Sequence, residues 1–311
     1  MKTLKYLLCG VTLCALACSS SKDDGPGTGP GKNESNTLKI MSFNVRYNNS
    51  KDEGDTNWEV RKGAVVRMIN TVKPDVVGLQ EPRVEQRTYL KTNLPNYGYL
   101  EVPGTGSGTG GNSCLIYRLD RFTKVDDGYF FLSPTPDEPS RCWDVGDSQW
   151  RTSVWVHLKE KETGKEFFFL STHMPVRTNS SLPNEPYIQA RINSANLNVE
   201  RMKKIAGESA MCFIVGDMNC SEKVADGSAN ADGVRALKPY RDWMKSGRDI
   251  APTGDAYSFN NFGKGTAGPN RNLDHIFYRN VTMAMSFRTL TDNYGVKYVS
   301  DHYPILLTVL F

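Results

Sequence analysis

From Leu38 onward the chain alternates short apolar runs with polar turns: LKIMSFNV, DVVGLQE, SCLIYR, GYFFL, TSVWVHL, EFFFLSTH, MCFIVGDMN, NLDHIFY and YPILLTVL. Runs of roughly five to eight residues, rich in β-branched and aromatic side chains, suit buried or half-buried strands rather than helices. Three intervening segments carry apolar residues at helical spacing: Trp58 to Val72, ended by Lys73-Pro74; Val84 to Leu94, ended by Pro95; and Tyr187 to about Ile205, ended by Gly207. Proline disfavours a helical residue before it and glycine accepts the reversed conformation that closes a helix, so these ends are well marked. Many strands with few helices predict a two-sheet α/β sandwich with helices on the outside, not a Rossmann sheet. No residue pattern repeats along the chain. The stretch Gly104 to Gly111 (GTGSGTGG) lacks the Lys-Ser/Thr of a phosphate loop and precedes a strand, so it is expected to be a mobile loop.

The amino terminus has a different character. Lys2 and Lys5 precede the apolar run Leu7 to Ala17, whose 11 residues suit a signal peptide and are too few to span a bilayer. The run ends in Ala15-Leu16-Ala17-Cys18, which resembles a bacterial lipoprotein cleavage box with Cys18 as the lipidated residue, although Ala15 stands where such boxes usually carry Leu. Ser19 to Glu34 (SSSKDDGPGTGPGKNE) is too polar and too rich in Gly and Pro to build a core, and reads as a flexible spacer. Its Lys22-Asp23-Asp24 step resembles the surface-export signals of Bacteroides-type lipoproteins. The expected organisation is a signal peptide over 1–17, a lipidated cysteine and linker over 18–37, and one domain over 38–311. The protein is then exported and lipid-anchored to the bacterial envelope, at the outer membrane and facing the surface, and touches membrane through that anchor alone.

Removing residues 1–17 lowers the formal charge from +4 to +2, because 36 basic residues then face 34 acidic ones. So balanced a chain does not suit a protein that grips long nucleic acid mainly through its backbone charge. Beyond Cys18 stand Cys114, Cys142, Cys212 and Cys220, with no C-x-x-C pair, which excludes a zinc finger. Cys114 and Cys212 lie inside apolar runs and are expected as buried free thiols.

Polar residues recur at the ends of the apolar runs, where strands deliver side chains to a shared rim. Asn44 ends IMSFN, Glu81 ends VVGLQE, His173 ends FFFLSTH, Asp217 and Asn219 end FIVGDMN, and Asp301-His302 precede the last strand. Taken singly, each is better explained as a turn former or cap, and GDMN in particular forms an Asx turn readily. Together they supply what phosphate-ester hydrolysis needs: hard oxygen ligands, a group to orient or deprotonate water, and donors for developing negative charge.

In their order, SFNVR, LQE, STH, GDMN, LDHIF and SDHYPI resemble the endonuclease/exonuclease/phosphatase superfamily over about Leu38 to Phe311. NWEVRK (57–62), CWD (142–144) and QWRTSVW (149–155) are similar to a bacterial branch of it. The resemblance implies a deoxyribonuclease-like, four-layer α/β/β/α sandwich with two mixed sheets, and a monomeric hydrolase. It implies Mg²⁺ or Mn²⁺ as cofactor, with Glu81 the principal ligand, Asn44 beside it and Asp301 completing the set. Asp217 would orient or deprotonate water, Asn219 would hold the phosphate or the leaving oxygen, and Asp274 would fix His302 against the phosphoryl group. His173 would be a second phosphate donor. Arg151 matches a basic position of this branch and Arg177 lies in a polar loop that departs from the family pattern; both are candidate substrate contacts, as is Trp143. His157 and His275 receive no chemistry.

The expected reaction is in-line attack of water on a phosphate ester, with a phosphodiester, including nucleic acid, as the first substrate class. Sugar or inositol phosphates and sphingomyelin-like phospholipids are the alternatives, because loops rather than fold set the substrate. A surface binding module without turnover is the rival of another class, and the intact set of eight polar residues speaks against it.

Overall fold

The computed structural model describes residues 36–103, 113–143, 145, 150–177, 180–252 and 254–311. The expected signal peptide, Cys18, the spacer and Gly104 to Gly111 lie outside the described residues. The apolar runs fold as strands β1 (Thr37–Asn44), β2 (Val76–Gln80), β4 (Ser113–Arg118), β5 (Phe122–Phe131), β6 (Thr152–Glu160), β7 (Glu166–His173), β8 (Cys212–Asp217), β10 (Asp274–Arg279) and β12 (Ile305–Leu310). The marked helices are α1 (Trp58–Val72), α2 (Val84–Asn93) and α3 (Glu185–Ala206). Asn57 caps α1 by accepting the Glu59 amide, and Lys73 closes it in the left-handed region.

Four elements were not expected. Strands β3 (Tyr97–Glu101), β9 (Lys245–Ser246) and β11 (Met283–Thr289) are short or half-exposed, and helix α4 (Ala231–Trp243) carries Pro239 in its interior. The helix persists because Ala236, Leu237, Tyr240 and Trp243 all bury against one sheet.

Each sheet has six strands, in the orders β11-β12-β1-β2-β4-β3 and β5-β6-β7-β8-β10-β9. One parallel pair lies inside each, β1 with β2 and β7 with β8, and every other neighbour is antiparallel. The two halves therefore share one topology, β-α-β-α-β-β, although no residue pattern repeats. A strand covered on both faces carries an almost continuous apolar run, and β2 and β8 are buried at every residue.

Between the sheets pack Ile40, Val76, Leu115, Val156, Phe169, Phe213, Val215 and Leu307. A second layer joins Met41, Phe43, Val77 and Leu79 to Ala64, Val65, Met68 and Leu90 of α1 and α2. A third joins Leu170, Cys212, Ile214 and Phe277 to Ala195, Met202 and the buried face of α4. The result is the expected α/β/β/α order. At Gly78 the sheets approach so closely that a Cβ would lie 2.6 Å from Val215 Cγ2 and 2.8 Å from Ser171 Oγ. Cys114, Cys142, Cys212 and Cys220 are buried free thiols.

Candidate active site

In the two parallel pairs, Asn44 stands opposite Gln80 and His173 opposite Asp217 at the last paired positions. Both pairs thus end at the same rim, and β10 starts there too, with Asp274 opposite Asp217. Gly216 permits the crowding, since a Cβ on it would lie 1.9 Å from the Thr172 carbonyl oxygen. The rim opens into a cavity of about 490 Å³ lined by Glu81, Arg151, His173, Asp217, Asn219, Asp301 and His302. Residues not singled out in the sequence also line it, among them Arg46, Tyr47, Asp52, Phe259, Asn261, Phe262 and Lys264. Arg46 is the last residue of SFNVR, and its position in that motif was the one available signal.

Backbone strain gathers at this cavity. Arg46, Glu81, Asn219, Asn261 and Phe262 all line it with positive φ, between 49° and 70°. Each such residue costs of order 1–3 kcal/mol and persists only where its surroundings over-determine it, a situation concentrated at functional sites.

Asp217 is the hub. Its Oδ1 accepts the Asn219 amide at 2.9 Å, and its Oδ2 accepts Asn44 Nδ2 at 3.0 Å and faces His173 Nε2 at 3.5 Å and His302 Nε2 at 3.8 Å. Burial pushes its carboxyl up to about 7, and the positive charge of His302 limits the rise. His302 Nδ1 lies 2.7 Å from Asp274 Oδ2. Burial alone would lower this imidazole, but the charges of Asp274 and Asp217 and the bond to Asp274 raise it to about 10, so it is an imidazolium at neutral pH. Asp301 is raised by burial and by the charge of Glu81, against the pull of His302 and Arg46. Its Oδ2 lies 3.5 Å from Arg46 Nη1, while Asp52 holds the same guanidinium through Nε at 3.0 Å and Nη2 at 3.1 Å.

Several expected roles change. Asn44 turns its amide nitrogen, not its oxygen, to the acids: Nδ2 donates to Glu81 at 3.1 Å as well as to Asp217, while Oδ1 accepts the Arg46 amide. It bridges two carboxylates as a donor and is not placed as a metal ligand. His173 Nε2 lies 2.7 Å from Arg151 Nη1. A guanidinium has no acceptor, so this nitrogen accepts, and Arg151 rather than His173 is the cation. Arg177 does not line the cavity, because its Nη2 donates to the carbonyls of Ser180 and Leu182. Trp143 is also spent elsewhere, its Nε1 donating to Ser194 Oγ of α3 at 2.9 Å. Asn219 lines the cavity with Nδ2 tied to the Met174 carbonyl. His157 pairs with Glu166 and stacks on Phe168, and His275 bonds the Cys220 carbonyl and is kept neutral by burial, so both stay outside the chemistry.

Among the described residues two groups could hold a metal ion, each with ligand atoms within 4.8 Å of one another: Glu81, His173 and Asp217, and Asp217, Asp274 and His302. Glu81 and Asp301 add a pair of hard carboxylate donors on one cavity. Asp52, Glu81, Asp217 and Asp301 put four carboxylates on this cavity. This donor set fits a hard divalent cation.

The paired sheets with an acid- and histidine-lined cavity at their shared rim define a sandwich-class phosphoester hydrolase. The chain belongs to the Endonuclease/Exonuclease/phosphatase family, which residues 41–302 match. An endonuclease/exonuclease/phosphatase family protein from Bacteroides thetaiotaomicron is 28% identical, with a TM-score of 0.73 over 88% of this chain and 98% of that one. A mannosyl-6-phosphatase of the same organism is also 28% identical, with a TM-score of 0.72 over 88% of this chain and all (100%) of that one. An uncharacterized protein of Acanthamoeba polyphaga mimivirus is 24% identical over 282 residues, 87% of this chain and 99% of the relative.

Proposed function

We propose that this protein hydrolyses phosphate monoesters of sugars or other polyols, with Mg²⁺ or Mn²⁺ as cofactor, outside the cytoplasm and tethered through Cys18. The observation that carries the substrate class is the density of cations on one cavity. Arg46, Arg151 and Lys264 line it together with the His302 imidazolium, and with a divalent cation offsetting the carboxylates of Asp52, Glu81, Asp217 and Asp301 this complement suits the doubly charged end of a monoester. The likeness to a mannosyl-6-phosphatase supports the same choice, so a monoester replaces the diester first expected. The near-neutral net charge gives no independent reason to favour nucleic acid.

The phosphoryl group is bound by Arg151 and oriented by the neutral His173 behind it. Asp217 takes a proton from the attacking water, a task for which a carboxyl near 7 is poised. The His302 imidazolium, held by Asp274, gives a proton to the leaving alkoxide, so water is split between phosphate and alcohol with no covalent intermediate. When bound, a divalent cation at Glu81 and Asp301 supplies charge neutralisation at the phosphoryl oxygens.

The test is an assay of the full chain on mannose 6-phosphate, p-nitrophenyl phosphate, bis-p-nitrophenyl phosphate, DNA and sphingomyelin, with Mg²⁺, Mn²⁺ or EDTA. Preference for the two monoesters, abolished by EDTA, supports the proposal; preference for any diester overturns it. Incorporation of labelled fatty acid that Cys18→Ala abolishes tests the tether.

A further inference from the structure

We propose that the turn Asn260–Gly263 is the recognition element for the leaving alcohol, with the Phe262 ring as a platform for the apolar face of a sugar. The proposal rests on the monoester reading and names the part of the chain that selects among monoesters.

Three consecutive residues here are left-handed: Asn261 at φ 49°, Phe262 at 53° and Gly263 at 78°. Glycine accepts this conformation, asparagine tolerates it, and a phenylalanine there is an outlier. A turn needed only to reverse the chain would be easier to form with glycine at Phe262. The ring is nevertheless present, half-buried and on the cavity wall. Its position is fixed from behind by the buried Arg61 guanidinium, 5.4 Å from the ring centroid, and by the Tyr298 ring at 6.5 Å. Arg61 is itself locked by the carbonyls of Thr56, Val45 and Val299.

The turn is also tied to the reaction centre. The backbone amides of Asn260 and Asn261 both donate to the carbonyl of Asp301, at 2.8 and 2.9 Å. The buried Asn260 side chain accepts the Phe262 amide at 2.8 Å and donates to the Ser300 carbonyl at 3.2 Å. The ring is therefore held in register with the carboxylate and imidazolium of Asp301 and His302. Asn261 and the exposed Lys264 flank it on the cavity wall and offer polar contacts to hydroxyls. An aromatic face between hydrogen-bonding groups matches the amphipathic ring of a hexose and has little to offer a short acyclic alcohol.

The experiment compares kcat/KM for mannose 6-phosphate and glycerol 3-phosphate in the full-length protein and in Phe262→Leu and Phe262→Ala. Both substrates carry the same phosphate, and only one presents a ring. The wild type should prefer the hexose, and the preference should fall about tenfold in each variant, mainly through KM. A ratio that stays at the wild-type value in Phe262→Leu overturns the proposal, with a melting curve confirming that this variant is folded. A wild type that hydrolyses neither monoester overturns the monoester reading, and this inference with it; an active wild type with an unmoved ratio overturns the inference alone.

Discussion

The imidazole of His302 and the carboxylate of Asp274 meet at 2.7 Å through Nδ1 and Oδ2, both buried, with the far nitrogen of the ring aimed at Asp217. A buried carboxylate on one ring nitrogen fixes the orientation of the ring and favours its charged form. In Asp274→Asn that charge is gone, and the imidazole should titrate well below its present value of about 10. Turnover should fall by roughly 10²–10⁴-fold, the usual worth of a general acid. NMR titration of the His302 ring checks the first expectation and steady-state rates the second; an unmoved titration would refute the assigned role of Asp274.

The contribution of the site pair Asp217 and His302 to stability should fall as pH rises. His302 is raised from 6.5 to about 10 and Asp217 from 3.8 to about 7, so the folded protein holds protons that the unfolded chain releases. The contribution of Asp217 is complete below about pH 4 and lost by about pH 7; that of His302 is complete below about pH 6.5 and lost through about pH 10. In metal-free melting curves the wild type should lose stability relative to Asp217→Asn as pH rises from about 4 to 7, because only the wild type must bury a carboxylate there. A wild type that gains on Asp217→Asn over that range would remove the raised Asp217.

Divalent cation binding has its own readout. Mg²⁺ or Mn²⁺ at about 100 times its Kd should stabilise the wild type by about 2.7 kcal/mol, a rise of several degrees in Tm for a chain of this size. Glu81→Gln should lose most of that rise while keeping its metal-free Tm within a few degrees of the wild type. Equal shifts in the two proteins would exclude Glu81 as a ligand.

Arg151 is the buried cation beside His173. Arg151→Ala should raise KM for a monoester roughly tenfold to a hundredfold, the cost of a hydrogen bond to a charged group. Arg151→Lys should recover only part of the loss, because an ammonium lacks the planar fork. Full recovery by lysine would show that charge alone matters.

Gly78→Ala should destabilise the fold by about 1–3 kcal/mol, as overpacking of a filled core does, since the added Cβ meets Val215 and Ser171 across the two sheets. Chemical denaturation measures the loss. An unchanged midpoint would mean that the seam is looser there than the 2.6 Å approach implies.

What the sequence disclosed and what it hid follow from the range of the forces involved. Strands such as β2 and β8 are legible because burial on both faces demands an unbroken apolar run. Helix α4 was not, because Gly233 and Pro239 read locally as breakers while the compensating burial of Leu237 and Tyr240 comes from β10 and its neighbours. The acids and histidines that share the cavity were singled out because they stand at strand ends in the order of the family motifs. Roles assigned by that order were harder to read: which way the amide of Asn44 points, or that His173 accepts a hydrogen bond from Arg151, depends on partners more than 20 residues away. Asp52 and Phe262 gave no signal, since neither ends a strand and each joins the cavity through a loop. Arg177 and Trp143 looked available because the carbonyls and the helix that engage them cannot be seen from their own neighbourhoods.

Two amide hydrogens on the Asp301 carbonyl fasten the wall of the cavity to its chemistry. The buried Asn260 side chain reinforces that fastening, and position 261 can vary among residues that accept its left-handed backbone, but an imino acid is not among the options. Proline at either position deletes a donor, and at Asn261 its fixed negative φ is also the wrong sign. The loop is thus a cartridge with a latch: selectivity is written in the side chains of Phe262 and its neighbours, alignment with the reacting groups in the peptide bonds and the Asn260 amide, and the two can evolve apart.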